Sequence, residues 1–156
     1  MFLRRRRDVA FERPLPPARV TLNAIGFVRN EIAKPQPRGW ERIESRIEFL
    51  PEHAARLDGI DAYSHVIVVC YLDLAEDAPE KPENLTLPSG NTCGIFATRS
   101  QLRPNHLGVS VVGLLGREGH ALRVRGLDAI DATSVLDIKP YLPEYDAFPG
   151  AMIPRR

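Results

Sequence analysis

The sequence predicts a mainly β, single-domain protein: a closed or nearly closed β-barrel with one short helix and long loops. Three observations carry that expectation. Six or seven short apolar or alternating segments are each bounded by glycine, proline or clustered polar residues. No strand–helix–strand rhythm connects them, which argues against a doubly wound parallel sheet. The 14 prolines are spread along the chain, which disfavours long helices and suits short strands joined by shaped turns.

Taken in order, residues 1–20 ("MFLRRRRDVAFERPLPPARV") read as a disordered basic arm. A salt-sensitive phosphate-binding arm is its functional alternative. The barrel domain is expected over residues 21–148, with a tail at 149–156. "TLNAIGFV" and "ESRIEFL" read as strands, separated by "NEIAKPQPRGW", whose prolines and glycine break the pattern. "PEHAARLDGIDAYS" has Pro51 and Glu52 in a first turn and Gly59 near the stop, the marks of a short helix. "HVIVVCYLD" is continuous and β-branched, as in a barrel wall or a strand buried on both faces.

Residues 74–93 are polar and proline-rich and read as a long loop. "GIFAT", "GVSVVGLLG", "HALRVRGLD" and "TSVLDIKPYL" complete the strands, with "GLLGREG" read as a hairpin turn rather than a phosphate loop.

Composition sets limits on function. The chain has 156 residues, 44% of them hydrophobic, enough for one core. Its net charge of +1 creates no global field for a polyanion, so any nucleic-acid contact must come from a local patch. The apolar runs are too short to span a bilayer, and no secretory leader is apparent, so a cytoplasmic protein is expected. Cys70 reads as a small buried hydrophobe and Cys93 as a loop residue, with no disulfide framework. Neither a Walker motif nor metal-spaced histidines are found, and no metal is expected.

The chemistry concentrates in two places. "GIFATRSQLRPNHLGVS" brings together Arg99 and Arg103, whose planar forks suit carboxylates or phosphates, with Asn105 and a rigid Pro104. A well-capped loop with surface arginines is the plain alternative. "GLDAIDATSVLDIKPYLPEYD" contributes Asp128, Asp131 and Asp137, then Lys139 and Tyr141. Asp137 and Lys139 are two apart, so on a strand they share a face, as an ion pair or a proton-handling pair. Trp40 reads as a core or interface residue, with stacking on RNA as the alternative.

These two segments, with "IGFVRN" and "LDGIDAYSHVIVV", resemble the blocks of the TsaA-like family, also called YaeB or TrmO, from about Ile25 to Asp146. The resemblance implies a β-barrel that binds S-adenosylmethionine without a Rossmann fold, as a homodimer with cofactor near the subunit interface. It implies methylation of the exocyclic amine of threonylcarbamoyl-adenosine beside the anticodon of tRNA. Carried onto this chain, it implies cofactor contacts from Arg99, Val109 and the turn Leu127, Asp128, Ala129 and Ile130. Arg38, Arg103 and Asn105 would meet the anticodon loop, and Asp137, Lys139 and Tyr141 would line the catalytic region. Another acceptor for the same cofactor, or a non-catalytic cofactor- or RNA-binding module, are the competing readings. The chain departs from the family pattern at His106 (a proline in relatives), at Ala132 (a glycine), and at Asp73 and Leu74.

Overall fold

The computed structural model describes residues 14–75 and 82–154. The arginine run of the basic arm lies outside the described residues. Eight strands are found among them: β1 (Gly26–Arg29), β2 (Glu44–Phe49), β3 (His65–Tyr71), β4 (Asn84–Thr86), β5 (Thr92–Gly94), β6 (Leu107–Glu118), β7 (Ala121–Arg125) and β8 (Ser134–Pro140). Six of them close an antiparallel barrel, as expected from the sequence; their order is β1-β2-β7-β6-β3-β8, and β4-β5 form a separate two-stranded sheet.

Alternation decides which face of each strand turns inward. In β3, Val66, Val68 and Cys70 are buried while Ile67 and Val69 keep some exposure, so the continuous β-branched run is a barrel wall. β2 turns Ile47 and Phe49 inward and β7 turns Leu122 and Val124 inward; Arg123 and Arg125 point outward. These residues join Val28, Leu57, Val112, Leu127 and Val135 in one core cluster. Truncating any of the larger ones to alanine costs about 2–5 kcal/mol, because the closed wall cannot collapse into the void.

The barrel's outer wall carries cross-strand charge. Arg29 pairs with Glu48 at 3.2 Å, Arg46 pairs with Glu48 and Glu118, and Arg125 holds Glu44 at 2.6 Å. Hydrogen bonds from Arg125 and then Arg123 hold the Glu44 carboxyl below its ordinary range. Such exposed pairs fix register more than they add stability.

Four local expectations are corrected. "GIFAT" is not a strand: Ile95–Ala97 form a 3-10 turn with Ile95 buried and Phe96 exposed, so the apolar run marks one anchored residue rather than a pleated face. The segment expected as a short helix consists of 3-10 turns at Pro51–Leu57 and Ile60–Ala62, parted by Gly59 at φ 84°. The short α-helix, α1 (Pro143–Asp146), lies past β8, where Asp146 accepts a hydrogen bond from the Leu142 amide at 2.7 Å. The long loop holds β4 and β5, joined through Leu87-Pro88-Ser89-Gly90-Asn91. There the Leu87 amide reaches the Asn91 carbonyl at 2.8 Å, and Gly90 turns at φ 86°.

Candidate active site

The segment between β5 and β6 is fixed by its own polar groups. The Thr98 hydroxyl donates to the Ile95 carbonyl at 2.8 Å and accepts from the Ser100 amide at 3.1 Å. The Arg103 guanidinium turns back onto the loop, donating to the carbonyls of Ser100 at 2.9 Å and Thr98 at 2.5 Å. His106, buried at φ 50°, ends the loop by accepting from the Leu72 amide at 2.9 Å. A loop held this way presents its remaining side chains with little ordering left to do.

That loop forms one side of a cleft of about 600 Å³, whose other sides come from Pro35, Trp40, Leu72, Val109 and Asp128. Arg99 lies in it and donates to the Val109 carbonyl at 2.5 Å. A recess of about 50 Å³ continues from it against Asp128, Ala129 and Ile130, with Asp73 and Leu74 on its rim. Leu127 is buried in the core and anchors that turn. Among the described residues no carbonyl accepts from the amides of Leu127, Asp128, Ala129 or Ile130. The turn is held from behind instead: Asn30 donates to the Ala129 carbonyl at 2.9 Å, and Asp131 accepts from the Asn30 amide at 3.2 Å.

The electrostatics follow from this crowding. The Asp128 side chain reaches the cleft, but the surrounding walls strip water from it and raise its carboxyl above the ordinary range; the Arg99 charge pulls it part of the way back. Burial, and then the Asp128 charge, pushes the Cys70 thiol up to about 12, so it stays neutral and is no nucleophile at neutral pH. Cys70 and Cys93 are both free.

Arg99, Arg103, Val109 and Asp128 thus share one cleft, with Ala129 and Ile130 in the adjoining recess. The remaining expected site residues are not brought there by a single chain. Asn105 lines a separate groove of about 820 Å³ with Tyr71, His106 and Ser134. Arg38 is exposed beside Pro37 at the cleft edge. Asp137 and Lys139 form an ion pair at 2.7 Å on β8, and the Tyr141 ring stands edge-on to His65. The hydrogen bond to Asp137 raises Lys139, which keeps its proton. Sequence reasoning did not single out Gln101 and Ser110, which lie within the arginine-rich segment, or Leu72, which follows β3, and it read Trp40 as core or interface with stacking on RNA as the alternative.

Residues 26–147 match the tRNA-methyltransferase O N-terminal domain. The chain belongs to the tRNA-methyltransferase O family. A crystal structure of TrmO from Pseudomonas aeruginosa superposes with a TM-score of 0.68 at 32% identity, covering 86% of this chain and 61% of that one. A probable S-adenosyl-L-methionine-binding protein of Pyrococcus abyssi is 35% identical over 135 residues, 83% of this chain and 72% of the relative. A human tRNA (adenine(37)-N6)-methyltransferase is 39% identical over 117 residues, 72% of this chain and 25% of the enzyme. This chain therefore spans a quarter of the human protein and somewhat less than two thirds of the Pseudomonas one. The family's cofactor is S-adenosylmethionine, a flat purine joined to a sulfonium and an amino-acid end. A tRNA-methyltransferase O cleft suits that molecule where it offers unpaired backbone amides to a purine edge and charged groups to a zwitterion. Here Arg99 and Asp128 put charged groups on the cleft, and the amides of Leu127 to Ile130 have no backbone acceptor among the described residues.

Proposed function

We propose that this chain is an S-adenosylmethionine-dependent methyltransferase whose acceptor is the exocyclic amine of threonylcarbamoyl-adenosine at tRNA position 37. The observation that carries the proposal is the convergence of Arg99, Val109 and the turn at residues 127–130 on one cleft, from two chain segments, in a barrel of this family. The human relative's name supplies the position and the atom.

Leu127, Asp128, Ala129 and Ile130 hold the purine through their backbone, while Arg99 fixes the cleft edge and steers the zwitterionic end. The cofactor supplies an electrophilic methyl group on a positive sulfur. The chain's task is alignment: an in-line displacement is accelerated chiefly by holding acceptor and methyl in register. Asp128, raised by burial, faces the cleft beside Arg99 and favours neighbouring positive charge once ionised. Arg38 is exposed beside the cleft edge, Arg103 braces the loop that lines the cleft, and Asn105 lines the neighbouring groove. In this reading the RNA spans both, since arginines and amides recognise splayed single strands.

The protein acts as a homodimer in this reading. On the outer face of β3 and β6, Ile67 pairs with Val111 and Val69 with Val109. Val109 and Val111 remain 46% and 52% exposed, an apolar strip that a second copy would cover. Asp137 and Lys139 lie directly opposite Val69 and Ile67 on the same face, with Tyr141 beyond them. They would meet a cleft across that interface, and their catalytic role is assigned on this basis. A tRNA substrate puts the enzyme in the cytoplasm. No helix among the described residues is long and apolar enough to cross a membrane.

The test uses total tRNA from cells lacking their own enzyme of this kind, incubated with the protein and methyl-labelled S-adenosylmethionine. Nucleosides are then identified by mass spectrometry. Methylated threonylcarbamoyl-adenosine, lost in Arg99→Ala, is the expected product. No labelled tRNA nucleoside from protein that binds the cofactor would sink the tRNA acceptor and leave a different acceptor for the same cleft.

A further inference from the structure

Trp40 has no evident task in the barrel itself. It is half-buried yet lies outside the core cluster, and it shares the cleft lining with Leu72, which packs on the core's edge. Its position is nonetheless closely fixed. Gly39, at φ 93°, makes a left-handed turn that a side chain would strain, and the chain then enters the 3-10 turn Trp40–Arg42. The indole Nε1–H donates to the Gln36 carbonyl at 2.9 Å, which pins the ring to its own loop. That ring borders both the cleft and the recess, and among the described residues it is the one aromatic side chain lining either. A large flat surface held at a binding cleft without serving the core is suited to stacking a flat ligand.

We propose that Trp40 is the platform on which the adenine of S-adenosylmethionine stacks. The inference rests on the assignment of the cleft as the cofactor site. The argument is one of complementary surfaces. A purine has an edge that pairs with backbone groups and two faces that cannot. Asp128, Ala129 and Ile130 offer unpaired amides to the edge, and Trp40, in the same recess, offers a face. Pro35 and Leu72 add apolar surface to the same recess. Trp40 thereby selects for the purine half of the cofactor, while Arg99 and the polar loop attend to the other half.

Trp40 is the only tryptophan in the chain, so indole fluorescence reports on this residue alone. The full chain is titrated with S-adenosylhomocysteine while emission is recorded, with calorimetry in parallel. A saturable emission change whose midpoint matches the calorimetric Kd is expected. Adenosine is expected to reproduce it, and S-methylmethionine, which lacks the purine, to leave emission unchanged. Trp40→Ala should weaken S-adenosylhomocysteine binding about tenfold or more, and Trp40→Phe should restore most of the loss. Calorimetric binding with unchanged emission and an unaltered Kd in Trp40→Ala would overturn the stacking role and leave the cleft assignment standing. Absence of calorimetric binding would overturn both. An emission change with an anticodon stem-loop RNA but none with S-adenosylhomocysteine would overturn the cofactor as its ligand and reassign the ring to an acceptor base.

Discussion

At Ala132 the backbone adopts φ 65°, a left-handed conformation that a Cβ makes costly. The sequence marked this position as one where relatives carry glycine. Ala132→Gly should therefore raise stability by about 1 kcal/mol, read as a higher midpoint in thermal unfolding. His106 shares the feature at φ 50° and donates its amide to the Arg103 carbonyl at 3.1 Å. A proline there would need φ near −65° and would lose that bond, so this chain's loop follows its own path at the position. Asp128 makes the pH-dependent prediction. Its carboxyl is raised by burial, so the folded state binds the proton more tightly than the unfolded chain. Stability from this group is fully present below the ordinary carboxylate range and is lost as pH rises through the raised value. Asp128→Asn should melt higher than the parent at neutral pH, with the gap closing as pH falls below about 4. Equal gaps at both pH values would refute the sign. The same variant should bind S-adenosylmethionine less well.

Among the elements, β1 and β2 approach so closely at Gly26 that an added Cβ would stand 2.5 Å from the Glu48 carbonyl and 2.9 Å from the Phe49 Cα. Both obstacles are backbone, which has no rotamer to yield. Gly26→Ala should cost about 2–3 kcal/mol, seen as a lower urea midpoint with an unchanged slope. The barrel strands were legible because their inward residues alternate in patterns such as Ile47 and Phe49 or Leu122 and Val124. Shorter pieces were not. β4 and β5 have three residues each, too few to establish a period, and their pairing rests on contacts such as Thr86 with Thr92 at 3.0 Å. "GIFAT" misled because one buried isoleucine beside an exposed phenylalanine looks like a strand in composition alone. In the cleft, the arginines, the turn at 127–130 and the positions of Asp73 and Leu74 could be reached from the sequence. Trp40 was legible only as a stacking alternative to a core or interface residue, because its place depends on how the loop after β1 folds.

At the scale of the whole molecule, the apolar strip at Val109 and Val111 is the face that the proposed homodimer would cover. Val111→Arg should shift the protein from dimer to monomer in analytical ultracentrifugation at micromolar concentration while leaving the monomer's circular dichroism unaltered. A dimer that survives this substitution would remove the strip from consideration. Val109 links this face to the chemistry. Its side chain stands on the outer wall, and its carbonyl is held by Arg99 inside the cleft. In the proposed dimer one residue would therefore belong to two equilibria, and thermodynamic reciprocity would tie them together. Whatever factor the cofactor adds to subunit affinity, association must add to cofactor affinity. Where that factor exceeds one, diluting the protein would also loosen its hold on the methyl donor, and protein concentration would itself become a control on turnover.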